Sequence, residues 1–296
     1  MTHIQDHHME DKHYTGRGIG LAVMDTGAFL HPDFRDRVVA FQDMVRHRRD
    51  CYDDNGHGTH ILGIAAGDGR LSKGRCAGMA PGAHLIVAKV LDWRGNGSEE
   101  NVLAGVEYLL ARQKALGIRV VNISMGAFDE EGMQEDSRLV RGVERLWDAG
   151  MVVLAAAGNN GPAPMTIATP GISRKLITVG CSDDEKETHI DGSRMCNYSG
   201  RGPTRACIRK PDLVAPGCEI ISCNRMLRAS DPPYTIKSGT SMATPMVAGA
   251  IACLLEKYPA MTNVQVKLRL RERCVRLNMP ESKQGWGVLS LENLLR

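Results

Sequence analysis

A serine, a histidine, an aspartate and an asparagine stand at points in this sequence where each could do chemistry. Ser241 lies in Lys237–Lys257, KSGTSMATPMVAGAIACLLEK, where a small polar stretch runs into Met246, Val247, Ala248, Ala250, Ile251, Ala252, Leu254 and Leu255. A helix that is apolar on every side is a buried helix, so Ser241 sits where a loop enters one. The first N–H groups of a helix lack partners and form its positive dipole end, which suits chemistry that develops negative charge. Asp25 ends the apolar run Gly18–Asp25, His57 opens the small-residue segment His57–Ala66, and Asn159 follows the apolar run Met151–Ala157. Acyl transfer by a serine nucleophile uses this set. Ser241 would attack a carbonyl, and His57 would take its proton and hand it to the leaving amine. Asp25 would fix the imidazole tautomer. Asn159, with the backbone N–H of Ser241 and support from Thr240, would bind the oxyanion.

Each residue alone has a plainer reading. Ser241 or Thr240 serves equally as a helix N-cap, and Asn159, followed by Asn160 and Gly161, as turn chemistry. His57–x–x–His60 resembles half a metal site, but no carboxylate stands between the two histidines, which argues against zinc. Ala243 replaces the second glycine of Gly-x-Ser-x-Gly, so the segment is not an α/β-hydrolase nucleophile elbow. Pro245 falls within the first turn of its helix by this reading, where a missing N–H leaves nothing unpaired.

The elements that must position these residues alternate. Strands are expected at Gly18–Asp25, Leu85–Leu91, Arg119–Ser124, Met151–Ala157 and Leu176–Cys181. Helices are expected at His57–Ala66, from the Ser98 cap to about Leu116, at Ser137–Ala149, and after the Thr262–Gln265 capping box. Residues 28–56 read as loop, and residues 182–236 as short, less regular strands. This alternation means crossover connections and an α/β fold: a doubly wound, mostly parallel sheet with helices on both faces. Ligands bind such sheets beyond the carboxyl ends of the strands, the rim where Asp25, His57, Asn159 and Ser241 all fall. The expected organisation is a polar N-terminal tail over residues 1–17, carrying His3, His7, His8 and His13, and one domain over 18–296.

Composition narrows the rest. The chain has 296 residues, 43% of them apolar by type, and a net charge of 37 − 34 = +3 with both signs interspersed. Charge nominates neither a nucleic-acid nor a membrane partner. Arg46–Arg49 is a short basic cluster, read as a solvated loop. No apolar run reaches the roughly 18 residues of a membrane span, and the polar N-terminus is not a signal peptide. Nine cysteines without a C-x-x-C pair signal neither zinc ribbon nor redox motif. Unpaired thiols fit a reducing compartment, so a cytoplasmic protein is expected.

Three motifs carry a family resemblance: Val23–Met24–Asp25–Thr26–Gly27, His57–Gly58–Thr59–His60, and Gly239–Thr240–Ser241–Met242–Ala243–Thr244–Pro245. With Ala157–Gly158–Asn159, and in the order Asp, His, Ser, the chain resembles the subtilisin-like serine proteases (subtilases) from about residue 15 to 294. The resemblance implies endopeptidase activity on polypeptides. It implies a substrate bound as an added strand between Gly95–Ser98 (with Gly97) and Ser124–Met125–Gly126. The pocket for the residue before the scissile bond would be walled by Ser124–Gly126 and Ala156–Ala157–Gly158, with Ala168 near its base. No Asp or Glu occurs from Ala155 to Gly171, so an uncharged residue is expected there.

Two departures accompany the resemblance. Only 24 residues precede Asp25, too few for the folded prodomain of secreted members, so the expectation is either an enzyme that folds unaided, which Met1 favours, or a secreted mature form; a tail that covers the site until clipped is a further expectation. Asp33 matches a family calcium carboxylate, yet the loop Gly67–Arg75 carries Arg70, Lys73 and Arg75 where oxygen ligands are needed. The expectation is no metal and no cofactor. The competing readings are a catalytically silent subtilase-fold binding protein and an esterase or amidase on the same scaffold.

Overall fold

The computed structural model describes residues 14–126, 136–190, 192–228 and 230–296. Its strands are β1 (Gly20–Asp25), β2 (Val38–Asp43), β3 (His84–Lys89), β4 (Ile118–Ile123), β5 (Val152–Ala156), β6 (Ile177–Cys181), β7 (Thr188–Ile190), β8 (Ser193–Met195), β9 (Leu213–Ala215), β10 (Ile220–Cys223) and β11 (Tyr234–Lys237). Its helices are α1 (His57–Ala66), α2 (Glu99–Arg112), α3 (Arg138–Asp148), α4 (Thr240–Lys257), α5 (Asn263–Arg273), α6 (Glu281–Gln284) and α7 (Leu291–Leu295). Seven strands form one sheet in the order β2-β3-β1-β4-β5-β6-β9, and every neighbouring pair is parallel. Strands of such a sheet are covered on both faces, which is why β1 and β5 are buried at every residue.

The strand order reverses at β1. From there the chain builds β2 and β3 to one side, then β4, β5, β6 and β9 to the other. A crevice opens beyond the carboxyl ends at such a reversal. Asp25 closes β1 and Ser124 follows β4, so both stand at that crevice.

α4 is the hub of the core. Of its 18 residues, all but Ser241, Glu256 and Lys257 are buried. It packs against α1 and against β4, β5 and β6, while α2 and α3 pair with each other and cover β3 and β5. Close crossing with α1 explains Gly249, where a Cβ would stand 2.6 Å from the Ala65 carbonyl oxygen and 2.5 Å from Met79 Cβ.

Four details depart from the sequence reading. Residues 28–56 contain β2, an edge strand whose Val38–Gln42 are only half-buried or exposed, so its apolar signal is interrupted. α2 ends at Arg112, and 113–117 turn towards β4. The tail does not extend to residue 17. The N–H groups of Thr15, Gly16 and Arg17 donate to Glu256 Oε2 at 2.6, 2.7 and 3.2 Å, which pins this segment to the last turn of α4. The rest of the expected tail, with His3, His7, His8 and His13, lies outside the described residues. Finally, α4 begins at Thr240, which puts Pro245 in its second turn.

Filling the crossing tests the packing. Gly249→Leu is expected to destabilise the protein by about 1–3 kcal/mol through overpacking, read as a lower denaturation midpoint.

Candidate active site

The end of β1 and the start of α1 are tied together before any chemistry is considered. The buried Asp53 carboxylate accepts from Thr26 Oγ1 (2.9 Å), Asn55 N (3.1 Å), Gly56 N (2.7 Å), Thr59 N (2.9 Å) and Thr59 Oγ1 (2.6 Å). Thr26 Oγ1 in turn accepts from Gly58 N at 2.9 Å. Asp53 thereby caps α1, whose N-terminal Gly56 has no side chain to do so. Beneath the same turn, the fully buried Lys89 ammonium donates to Thr26 O (2.6 Å), Asp54 Oδ1 (2.7 Å) and Leu91 O (2.8 Å). Neither Asp53 nor Lys89 was picked out from the sequence. The segment Asp53–Asn55–Gly56 just before a helix carried a capping signal; Lys89, in an apolar strand, carried none beyond its charge.

This scaffold presents Asp25 to His57. Asp25 is fully buried, and its carboxylate lies 2.8 and 2.9 Å from His57 Nδ1, with Oδ1 also accepting from Thr26 N at 2.7 Å. His57 keeps 24% of its side chain exposed, and no contact among the described residues occupies Nε2. Burial would lower the imidazole pKa, but the Asp25 charge and hydrogen bond outweigh it, so the pKa is raised above its ordinary 6.5. His60 points elsewhere. Its Nε2 faces the carbonyls of Ile220 (3.1 Å) and Thr235 (3.2 Å), and burial pushes its pKa down to about 3. The two histidines share no ligand position.

Ser241 is the second residue of α4. Its hydroxyl donates to Ser124 O at 2.8 Å and makes no hydrogen bond to His57. Its carbonyl accepts from Ser124 Oγ at 3.1 Å, and Ser124 Oγ accepts from Asn122 Nδ2 at 2.7 Å. Pro245 explains the second contact. In a helix, the residue four positions later would donate its N–H to Ser241 O, and proline has none. The carbonyl so released is taken by Ser124. Pro245 therefore leaves an acceptor open, contrary to the first-turn reading.

Asn159 is oriented through its oxygen, which accepts from Thr240 N (3.0 Å) and Thr240 Oγ1 (3.1 Å), while Thr240 Oγ1 accepts from Gly158 N (3.1 Å). With Oδ1 so held, the amide NH2 is the free end. It lies 3.2 Å from where a Cβ on Gly239 would stand, and Gly239 itself has φ +138°. A side chain there would crowd the amide and strain the backbone. Ala168 Cβ lies 2.7 and 2.6 Å from the Cβ positions that Gly126 and Gly158 lack, so these three residues meet, with Ala156 and Ala157 buried behind them. A cleft of about 430 Å³ runs between Gly95, Gly97 and Ser98 on one side and Met125 and Gly126 on the other.

His31, Asp33 and Cys223 are buried with candidate ligand atoms within 4.8 Å of one another. All are engaged. His31 Nε2 is 2.9 Å from Pro233 O, and His31 Nδ1 accepts from Asp33 N at 3.2 Å. Asp33 Oδ1 accepts from Leu71 N at 3.2 Å; Oδ2 accepts from Tyr234 OH at 2.7 Å and from Cys223 Sγ at 3.7 Å. Beside it, Asp68 is paired with Arg70 at 2.8 Å. A calcium ion needs six to eight oxygens, and this internally bonded set with a thiol does not fit it.

A sequence model of the subtilase family matches residues 16–287. The chain belongs to the subtilase family. It is 42% identical to serine protease AprX of Bacillus subtilis (strain 168), over 87% of this chain and 61% of that protein. It is 32% identical to subtilisin DY of Bacillus licheniformis, over 94% of this chain and 91% of that one. Solved structures with the same fold include sphericase (TM-score 0.77, 28% identity, 93% of this chain and 91% of that chain) and the S41 psychrophilic protease (TM-score 0.77, 31% identity, with the same 93% and 91%). The α/β architecture is thus subtilisin-like, and the chain spans about three fifths of the length of AprX.

The Asp53 cap gives a measurable pH signature. Burial would raise its pKa, but the hydrogen bonds from Thr59, Gly56 and Asn55 outweigh it and hold the carboxyl below its ordinary 3.8. A depressed carboxylate stabilises the fold above its unfolded pKa and loses that contribution as pH falls through the folded value. Asp53→Asn is therefore expected to cost on the order of 2 kcal/mol at pH 7. Denaturation of both proteins as a function of pH should show the gap closing below about pH 4.

Proposed function

We propose that this chain is a serine endopeptidase in which Asp25, His57 and Ser241 act as the triad and Asn159 as an oxyanion donor. The observation that carries the reading is the buried Asp25 carboxylate gripping His57 Nδ1 at 2.8 Å, which leaves Nε2 as the working nitrogen. Rotation about its Cα–Cβ bond takes the Ser241 hydroxyl from Ser124 O to that nitrogen. As the hydroxyl attacks the carbonyl carbon, His57 accepts its proton, and Asp25 stabilises the imidazolium. The oxyanion receives hydrogen bonds from the free Asn159 NH2 and from Ser241 N–H, which has no intrahelical acceptor so near the helix start. His57 returns the proton to the leaving amine, and water repeats the sequence on the acyl-enzyme.

The cleft between Gly95–Ser98 and Ser124–Gly126 supports binding of a polypeptide as an extended strand. Among the described residues, the pocket formed by Ser124–Gly126, Ala156–Gly158 and Ala168 contains no charged side chain, which supports an uncharged residue before the scissile bond. All nine cysteines are free, which supports residence in a reducing compartment such as the cytoplasm. No helix among the described residues is long and apolar enough to cross a membrane. We assign no metal to the Asp33 site, since its donors bond one another.

The test is cleavage of a denatured proteome with mapping of the cut sites. Cuts after uncharged residues are expected, with none from Ser241→Ala, and Asn159→Leu should lower kcat by roughly 10²–10³-fold. Cuts confined to Arg or Lys would overturn the specificity. Failure of folded enzyme both to cut and to react at Ser241 with a fluorophosphonate would mark a silent binding protein; ester hydrolysis without proteolysis would mark an esterase.

Two further outcomes follow from the site. His57 must be neutral to accept the proton, and its pKa is raised above 6.5. The acid limb of kcat/KM should therefore have its midpoint above pH 6.5, and a rate constant down to about pH 4 would exclude His57 as base. A chelator should leave Tm unchanged, whereas a fall of many degrees would show a structural cation.

A further inference from the structure

The hairpin β10–β11 is fastened to α1. Ser222 Oγ donates to His60 O at 2.8 Å, and His60 Nε2 contacts carbonyls of both strands. Two half-buried cations ride on this hairpin. Arg225, in the loop joining the strands, lies against Gly56, the residue before His57. Its Cγ, Cδ and Nε are 3.4, 3.3 and 3.6 Å from the point where a Gly56 Cβ would stand. Lys237 ends β11, four residues before Ser241, and its charge opposes protonation of both His57 and His60.

Neither cation makes a side-chain hydrogen bond or ion pair among the described residues. Four nearby carboxylates are engaged elsewhere: Asp25 with His57, Asp53 with the α1 cap, Asp54 with Lys89, and Asp231 with the backbone N–H groups of Leu227 and Arg228. The exposed Glu219, beside Ser238 at the base of the hairpin, is the remaining acid there among the described residues. The strand-binding cleft differs. Among the described residues that line it, its one acid, Glu99, lies 3.4 Å from the guanidinium of Arg138. Two cations against one exposed carboxylate thus leave net positive charge on the His57 side of Ser241.

That side has a defined place in the proposed reaction. The acyl half of the substrate lies in the cleft, and His57 delivers a proton to the departing amine. The chain beyond the scissile bond therefore leaves past His57 and Gly56, within reach of Arg225 and Lys237. We propose that Arg225 and Lys237 form a cationic leaving-group subsite that selects polypeptides with Asp or Glu in the first two positions after the scissile bond. This rests on the peptidase reading above. Opposite charge at such a part-solvated surface favours the matched substrate and disfavours the like-charged one, and both effects are screened by salt.

The experiment uses quenched fluorescent peptides identical before the scissile bond and carrying Glu-Glu, Ala-Ala or Lys-Lys after it. The readout is the ratio of kcat/KM for Glu-Glu to Lys-Lys within one enzyme, so any general loss of rate from altering charge beside His57 cancels. The wild-type ratio should be about tenfold or more at low salt and shrink towards one in about 0.5 M salt. Combined Arg225→Glu and Lys237→Glu should invert it. If that variant fails to fold, Arg225→Ala with Lys237→Ala should bring it close to one. A wild-type ratio within about twofold of one, or a ratio unmoved by the substitutions, overturns the subsite. If folded enzyme cleaves none of the three peptides and does not react at Ser241 with a fluorophosphonate, the peptidase reading itself fails and this inference goes with it.

Discussion

One buried contact organises this molecule: the Asp25 carboxylate against His57 Nδ1. A carboxylate withdrawn wholly from water must be compensated by donors, and its donors here are the imidazole and the Thr26 N–H. That demand fixes where β1 must stop and where α1 must begin. Asp53 and Lys89 satisfy it from outside the pair. Asp53 binds the first N–H groups of α1 to Thr26, and Lys89 holds the carbonyl of Thr26 from below. The reversal of strand order at β1 supplies the open space, and the polar network decides which side chains face it.

Ser241 is held by a different device. α4 is almost entirely buried, so its first turn inherits the rigidity of the core. Pro245 detaches one carbonyl from the helical pattern and gives it to Ser124, so β4 and α4 are joined at the residue that bears the hydroxyl. Asn159 is joined to the same turn through Thr240. Three strand ends and two helix starts therefore converge with little freedom to drift, which is the preorganisation the proposed oxyanion site requires.

Much of this was legible in the sequence. Apolar runs ending in Asp25, Ser124 and Ala157 placed strands whose carboxyl ends share one rim, and the buried character of α4 followed from its lack of a polar face. What stayed hidden depended on tertiary position. β2 is an edge strand whose apolar residues are half-exposed, so its pattern resembles a loop. Lys89 reads as an intruder in a strand until its three acceptors are seen. The role of Pro245 turns on whether α4 begins at Thr240 or a turn later, and cap position is weakly specified when Gly239 offers no capping side chain. The hydrogen bonds that tie Asp33 to Leu71, Tyr234 and Cys223 come from segments far apart in the chain and left no sequence signal.

On the peptidase reading proposed above, the burial of α4 bears on how the molecule survives itself. A peptidase is surrounded by copies of its own chain, and any segment that opens long enough to lie extended in a neighbour's cleft is at risk of autolysis. Local opening is cheap where few apolar contacts must break and approaches the global unfolding free energy where many must. Because α4 is the hub of the core, its segment can be cut only after the whole domain has come apart. Self-digestion would then begin in exposed loops and leave the central machinery until last.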